Sequence, residues 1–197
     1  MSPNPCFSSL RWRRCLSFCF IWLIVFETVI NAADSRLPSP EQVDKPENIR
    51  YIVPDPRVLP GIVVDNTEAI LVGQWKQSVH TPPFVGASYI HDMKEKKGEK
   101  SATFTPDLPR AGLYEVRVSH NTNIRRANGV PVTILHAKGK SLVLINEGEP
   151  APIRKLFRSL GKFKFKKGRS GSVTIGTEGT EGKYVIVDSV QFLPVKE

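Results

Sequence analysis

The segment Leu113-Tyr114-Glu115-Val116-Arg117-Val118-Ser119-His120 alternates apolar and polar side chains with a period of two. Tyr114, Val116, Val118 and His120 fall on one side, Glu115, Arg117 and Ser119 on the other. That is the pattern of a strand with one face buried. Similar short runs lie on both sides of it: Ile62-Val63-Val64, Ile70-Leu71-Val72-Gly73-Gln74-Trp75, Ser101-Ala102-Thr103-Phe104-Thr105, and residues 173–177 and 184–193. They recur about every ten residues, separated by turn signals. Residues 130–136 and 141–146 flank Ala137-Lys138-Gly139-Lys140, which reads as a hairpin. Phe163 and Phe165 alternate with Lys162, Lys164 and Lys166. Helical spacing is confined to Ile153, Leu156, Phe157 and Leu160, enough for one short turn. Some nine or ten strands with so little helix predict an all-β fold, a two-sheet β-sandwich. Its span is residues 61–197, and about 135 residues suffice for a core without covalent staples.

Upstream of the domain the composition changes twice. Arg11, Arg13 and Arg14 precede the uncharged residues 15–26, and Ile30-Asn31-Ala32-Ala33 supplies small residues for cleavage. This order predicts a secretory signal peptide over residues 1–32. The apolar run is short for a membrane span, so a membrane is a partner only if the leader is retained as an anchor. Residues 33–60 carry Pro38, Pro40, Pro46, Pro54, Pro56 and Pro60, an extended linker. Ile49, Tyr51, Ile52 and Val53 offer it an edge strand with which to pin itself to the domain.

The 197 residues carry 28 Lys+Arg against 19 Asp+Glu, a formal charge of +9. Loss of residues 1–32, which hold three Arg and one Glu, lowers this to +7. Cys6, Cys15 and Cys19 all lie in the leader, so the domain has no disulfide, thiolate metal site or cysteine nucleophile. The histidines at 80, 91, 120 and 136 lack metal-ligand spacing, and neither a metal nor a cofactor is expected. No glycine-rich nucleotide loop or nucleophile elbow is present. An exported chain argues against nucleic acid as the target of its basic charge.

The order of motifs resembles the golvesin C-terminal-like domain, also described as a carbohydrate-binding-like domain associated with xanthan lyases. The resemblance runs from Gly61 to Pro194. It rests on Val64-Asp65-Asn66-Thr67 with Trp75 after it, on Gly86-Ala87-Ser88-Tyr89, and on the strand ending Thr105-Pro106-Asp107-Leu108-Pro109. Ala111-Gly112-Leu113-Tyr114-Glu115-Val116, Arg126, Asn128 and Val130-Pro131-Val132 continue it. His136, Gly139, Leu160-Gly161-Lys162-Phe163-Lys164-Phe165 and Asp188-Ser189-Val190-Gln191-Phe192-Leu193-Pro194 complete it. Gly129 between Asn128 and Val130, and Asn146-Glu147-Gly148, depart from the family pattern. The resemblance implies a jelly-roll, galactose-binding-like sandwich in exported bacterial proteins, with a role in attachment to polysaccharide or cell-surface material.

Four features carry chemistry. Residues 119–128 concentrate hydrogen-bonding groups at the end of a strand. His120, Asn121, Asn123, Arg125, Arg126 and Asn128 supply donors and acceptors for sugar hydroxyls, and the arginines can grip a carboxylate with two parallel bonds. The alternative is a structural loop whose Asn residues make turns. Residues 154–169 hold Arg154, Lys155, Arg158, Lys162, Lys164, Lys166, Lys167 and Arg169 without an acid. They are either a contact for acidic polysaccharide or an anionic surface, or a solvated edge strand guarded by lysines. Tyr89, in a loop-like region, is an aromatic platform for a sugar ring, whereas Trp75 reads as core. Asp65 suits an Asx turn or a calcium ligand, and Asp188 reads as buried and bonded to backbone amides.

The expected function is therefore a secreted, non-catalytic module that binds polysaccharide or cell-envelope glycan, acidic glycan in particular. The second reading is a docking module for an exported partner enzyme. The third is a polysaccharide lyase, with His120, Arg125 and Asn121 as its proton-abstracting and charge-neutralising groups.

Overall fold

The computed structural model describes residues 54–196. The leader, the linker up to residue 53 and the edge strand expected at residues 49–53 lie outside them. Twelve strands follow in order: β1 (Ile62–Asp65), β2 (Ile70–Val72), β3 (Lys76–Ser78), β4 (Tyr89–His91), β5 (Ser101–Phe104), β6 (Gly112–Ser119), β7 (Val130–His136), β8 (Gly139–Ile145), β9 (Phe157–Phe165), β10 (Ser172–Gly176), β11 (Ile186–Val187) and β12 (Ser189–Pro194). The only helical elements among the described residues are two three-residue 3₁₀ turns, Pro56–Val58 and Asn66–Glu68. A four-stranded sheet has the order β1-β12-β6-β9, a five-stranded sheet β2-β5-β10-β7-β8, and a small third sheet β11-β4-β3. Their strands pair antiparallel throughout. The protein is an all-β, two-sheet sandwich, as the recurring short strands predict, and a jelly roll, as the family resemblance implies.

The two larger sheets bury their facing side chains against each other. Tyr114, Val116 and Val118 from β6 join Val190, Phe192 and Phe165 on one side. Phe104, Val132, Ile134, Val173 and Ile175 meet them from the other. Each side chain of this size stabilises the fold by roughly 1.5–3 kcal/mol on burial. Phe165 sits edge-on to both Tyr114 and Phe192, with ring centroids 6.0 and 5.6 Å away. Tyr114 satisfies its hydroxyl by donating to the Arg110 carbonyl at 2.9 Å. The expected hairpin is present, but its turn is the two residues Ala137 and Lys138, since β8 already begins at Gly139 opposite His136.

Three local expectations change. The run at residues 70–75 is not one strand in the core: β2 stops at Val72 with all three side chains exposed. Trp75 packs only partly against the core, its indole N–H donating to the Val72 carbonyl at 3.0 Å. The helical spacing at 153–160 does not give a helix. Arg154 and Lys155 take φ of 54° and 56°, left-handed values that stop a right-handed turn from propagating, and Leu160 belongs to β9. Tyr89 lies on β4 rather than in a loop.

β6 fixes the long axis of the sandwich. Its eight residues span roughly 25 Å from the Gly112 end to the Ser119 end. The third sheet and the segment 120–128 sit beyond Ser119. The β7–β8 turn and the end of β9 sit at the Gly112 end, since Gly112 pairs with Phe165.

Candidate functional site

Beyond the Ser119 end of β6 the chain leaves the sheet and is tied down again at Tyr184. Ala127 N–H donates to the Tyr184 carbonyl and Tyr184 N–H to the Arg125 carbonyl, both at 2.9 Å. Asn123 makes an Asx turn, its Oδ1 accepting from Arg125 N at 3.0 Å. Lys183 Nζ closes the loop from outside by donating to the Ile124 carbonyl at 2.9 Å. Between this loop and the third sheet lies a cleft of about 400 Å³. Tyr89 and His91 from β4, His80 and Thr81, Tyr184, Asn123, Arg125 and Arg126 contribute to its walls, and no carboxylate among the described residues lines it.

Arg126 is the group this cleft is built around. Its side chain is only 9% exposed. One Nη donates to Asn121 Oδ1 at 2.9 Å, while Nε finds no partner among the described residues. The guanidinium lies 5.7 Å from the Tyr184 ring centroid, within cation–π range. Lys94 Nζ lies 4.6 Å from the same centroid and His91 meets the ring edge-on at 5.2 Å. Tyr184 is thus clamped by three cationic or imidazole groups.

The titratable lining is set by burial and by Arg126. Burial lowers the pKa of His91, and the charge of Arg126 lowers it further. His91 Nδ1 accepts from Met93 N–H at 3.2 Å, so the neutral ring carries its proton on Nε2. For Tyr89, burial pushes upward, but hydrogen bonds with Ser78 and Thr81 and the nearby Arg126 leave the phenol lowered. Ser78 Oγ donates to Tyr89 Oη at 3.1 Å.

Behind the cleft stand buried acids. Glu147 is fully buried, its Oε2 accepting from Ile186 N–H at 2.8 Å. Burial holds its pKa well above the usual carboxylate range, against the pull of that N–H and of Arg126. Asp92 is ion-paired with Lys97 and accepts from Val185 N–H at 3.0 Å. Asp188 accepts from Val85 N–H at 3.0 and 3.2 Å and from the Ser119 hydroxyl. Burial raises its pKa to about 8, with Asp65 adding to the rise. Asp65 accepts from Thr67 and closes a capping box with Glu68, the turn expected of it. Among the described residues no group of three His, Cys, Asp or Glu side chains is placed to hold a metal ion.

The residues singled out from sequence divide into three sets. Tyr89, Asn123, Arg125 and Arg126 line the cleft together. Tyr89 is no exposed platform, however: it is 2% exposed and packs on Phe84. Asn128 is exposed and lies outside the lining. Asn121 is buried and acts on the cleft through Arg126. His120 is 1% exposed, outside the lining, and accepts from Arg158 Nε at 3.3 Å. Burial and Arg158 push its pKa down to about 4, so it is a neutral core histidine. Its shared parity with Val116 and Val118 carries that burial. Lys162 and Lys164 on β9, and Lys166 just past its end, are exposed toward the far end of the sandwich. Reading missed Tyr184, His80 and His91, which reach the cleft only through pairing of β3, β4 and the 184 region. No local spacing marks them.

A two-sheet sandwich with a polar, acid-free cleft at one end defines an antiparallel jelly-roll module. Residues 62–194 match the Golvesin C-terminal domain, and the chain belongs to that family. It is 36% identical over 142 residues to the xanthan lyase of Bacillus sp. (strain GL1), covering 70% of this chain and 15% of that protein. The structure of a Paenibacillus xanthan lyase superposes with a TM-score of 0.64 at 34% identity, over 68% of this chain and 13% of that one. The chain therefore spans a small fraction of these relatives. The GH26-CBM35 β-(1,4)-mannanase of Podospora anserina shares the fold, with a TM-score of 0.52 at 18% identity, over 69% of this chain and 28% of the mannanase.

Proposed function

We propose that this chain is an exported, non-catalytic module that binds polysaccharide in the cleft, with Arg126 reading a carboxylate-bearing sugar. The observation that carries this is Arg126 in the wall of the cleft: oriented by Asn121, flanked by Tyr184, and with no carboxylate among the described residues of the lining. A guanidinium fixed before binding loses little freedom on gripping a carboxylate. Asn123, Thr81 and the Nε2–H of neutral His91 supply groups for sugar hydroxyls. Kinship with xanthan lyases, named for a polysaccharide, supports the same class of target. The leader-like residues 1–32 support export.

A non-catalytic role fits the protonation pattern. A lyase needs a free base beside the α-proton. His120 is buried away from the cleft, and the Nδ1 lone pair of His91 is occupied by Met93 N–H. The test is titration of the full chain with trigalacturonate and with a neutral trisaccharide of dextran, following ultraviolet absorbance of unsaturated uronate in parallel. Binding of the acidic sugar without new absorbance supports the reading. New absorbance revives a lyase, and indifference to both sugars overturns the cleft assignment.

One observation favours docking to an exported enzyme as the second reading. Leu142, Thr133, Thr174, Thr103 and Ile70 form one uncharged cross-strand row on the outer face of the five-stranded sheet. Ile70, Leu142 and Leu144 are each about two-thirds exposed there. A discrete oligomer in sedimentation, with no retention on any glycan, would put this reading first.

A further inference from the structure

The sequence presents residues 154–169 as one basic stretch, but the structure pulls it apart. Phe157 pairs with Ser119 at the cleft end, and Phe165 pairs with Gly112 at the other. Arg158 is spent at the cleft end, donating to His120 and to the Pro150 carbonyl. The cations from Lys164 onward lie at the opposite end, roughly 25 Å from the cleft.

There they meet charges from a different part of the chain. Ala137 N–H in the β7–β8 turn donates to the Lys164 carbonyl at 2.8 Å, and the His136 and Phe163 rings approach to 5.2 Å. This brings the β7–β8 turn, with Lys138 in it and Lys140 at the start of β8, against the end of β9, which carries Lys164 and is followed by Lys166. The loop after β9 adds Lys167 and Arg169. That loop is firmly seated: Leu108 and Gly168 exchange two backbone bonds of 3.2 and 2.8 Å. A Cβ at Gly171 would fall 2.4 Å from Phe165 Cδ1. All six cations are exposed, and none has an ion-pair partner among the described residues. Asp107, beside Leu108, offsets part of their charge. Like charges gathered at one end with only partial counter-charge repel one another unless an anion joins them.

We propose that this end of the sandwich is a second binding site, a track for an acidic polysaccharide, so that one chain engages polymer at two opposite ends. The track's shape decides the partner. Lys162 and Lys164 stand about 7 Å apart along β9, and Lys166 follows just past its end. The set then crosses from one sheet to the other over about 10 Å. A ribbon of spaced charges that turns across an edge suits a linear polyanion with a charge on each sugar better than a planar lipid surface. The site goes beyond the cleft reading and does not need it, since a polymer can dock here with the cleft empty.

The test uses the full chain, its Lys138→Gln/Lys140→Gln/Lys164→Gln/Lys166→Gln variant and Arg126→Ala. Probes are polygalacturonate, trigalacturonate, neutral dextran and vesicles containing phosphatidylglycerol. The lysine variant should bind polygalacturonate about fivefold or more weakly at low salt, and that loss should shrink as salt rises above about 0.3 M. It should bind trigalacturonate as the parent does. Arg126→Ala should do the reverse on trigalacturonate. Mixing the parent with polygalacturonate should raise light scattering through bridging, and either variant should suppress it. Unchanged retention of polygalacturonate by the lysine variant overturns the track, as does stronger binding to the vesicles than to the polymer. Failure of the parent to bind trigalacturonate would sink the cleft reading alone. If the glutamine variant unfolds, Lys164→Glu/Lys166→Glu repeats the polymer measurement.

Discussion

The two ends of the sandwich solve recognition in opposite ways. At the Ser119 end polar groups are buried and fixed by partners: Arg126 by Asn121, Val85 N–H by Asp188, Ile186 N–H by Glu147. At the Gly112 end the cations are exposed and have no ion-pair partner among the described residues, and only their backbone is fixed. A preorganised site recognises a particular sugar, costs stability when disturbed, and resists salt. A field of mobile charges recognises charge density, tolerates substitution, and fades with ionic strength. Substitutions at the first end should therefore register in stability and in binding of short ligands, and at the second only in binding of polymers.

The largest effect is expected at Asp188. Asp188→Ala removes the acceptor for Val85 N–H and the partner of Ser119 Oγ, both buried, and should cost about 3 kcal/mol in denaturant unfolding. Asp188→Asn keeps an acceptor for Val85 and a group for Ser119, and should cost less than half of that. The pH dependence follows from the raised pKa. Folded Asp188 holds its proton up to about pH 8, whereas the unfolded chain releases it near 3.8. Its contribution is complete below about pH 4 and is lost as pH rises toward 8. Glu147, also raised, acts in the same direction. His120 acts in the other: its folded pKa of about 4 lies below the ordinary 6.5, so its contribution is lost as pH falls from 6.5 toward 4. The effects oppose one another below about pH 6.5, and only the acids act above it. Stability should fall between about pH 6.5 and 8, and Asp188→Asn should flatten that limb. A limb of equal slope in the variant would show that Asp188 is ionised in the fold.

Next in size is Arg126. Arg126→Ala should weaken trigalacturonate binding about thirtyfold, near 2 kcal/mol, by removing a charge-assisted pair. Asn121→Ala leaves the guanidinium in place but unheld, and should cost about fivefold. Equal losses from both would mean that Asn121 does more than orient Arg126. Raising the salt to about 0.5 M should change the parent's affinity for the trisaccharide less than its affinity for the polymer.

How much of this was legible before the structure depended on whether a feature is local. The alternation around Val116 marks β6, because a period of two is a property of consecutive residues, and the recurrence of such short runs marks the sandwich. Asp188 is readable as a buried acid from Ile186 and Val190 on the same parity, and the turn at Asp65 from its place between a strand and Asn66. The cleft was half legible: Asn123, Arg125 and Arg126 share one loop, but Tyr184 reaches them from some sixty residues away through the Arg126–Tyr184 bridge. His91 arrives by pairing with Ile186. Tyr89 was misread as exposed, since nothing local shows that β4 would be covered by Phe84 and the 184 region. The basic stretch was misread as one patch because sequence adjacency hides the 25 Å or so that a nine-residue strand travels. The lysines that join its far end come from a hairpin whose own sequence signals only a turn.

The smallest effect separates two lysines on the same strand face. Lys162 stands opposite Glu115 in the β6–β9 ladder, and its charge helps to lower the pKa of Glu115. The stronger cause of that lowering is the hydrogen bond from Arg117 Nη at 2.7 Å, so Glu115 already has a partner and offsets Lys162 only in part. Lys164 stands opposite Leu113, with no acid across from it. If the far end works through net unpaired charge, Lys164→Gln should weaken polygalacturonate binding about twofold, and Lys162→Gln by less than that. Neither should move stability by more than about 0.5 kcal/mol, because both side chains are solvated. Equal effects of the two would place the polymer along the whole of β9. A larger effect of Lys162→Gln would move the contact toward the middle of the sheet and detach it from the hairpin lysines.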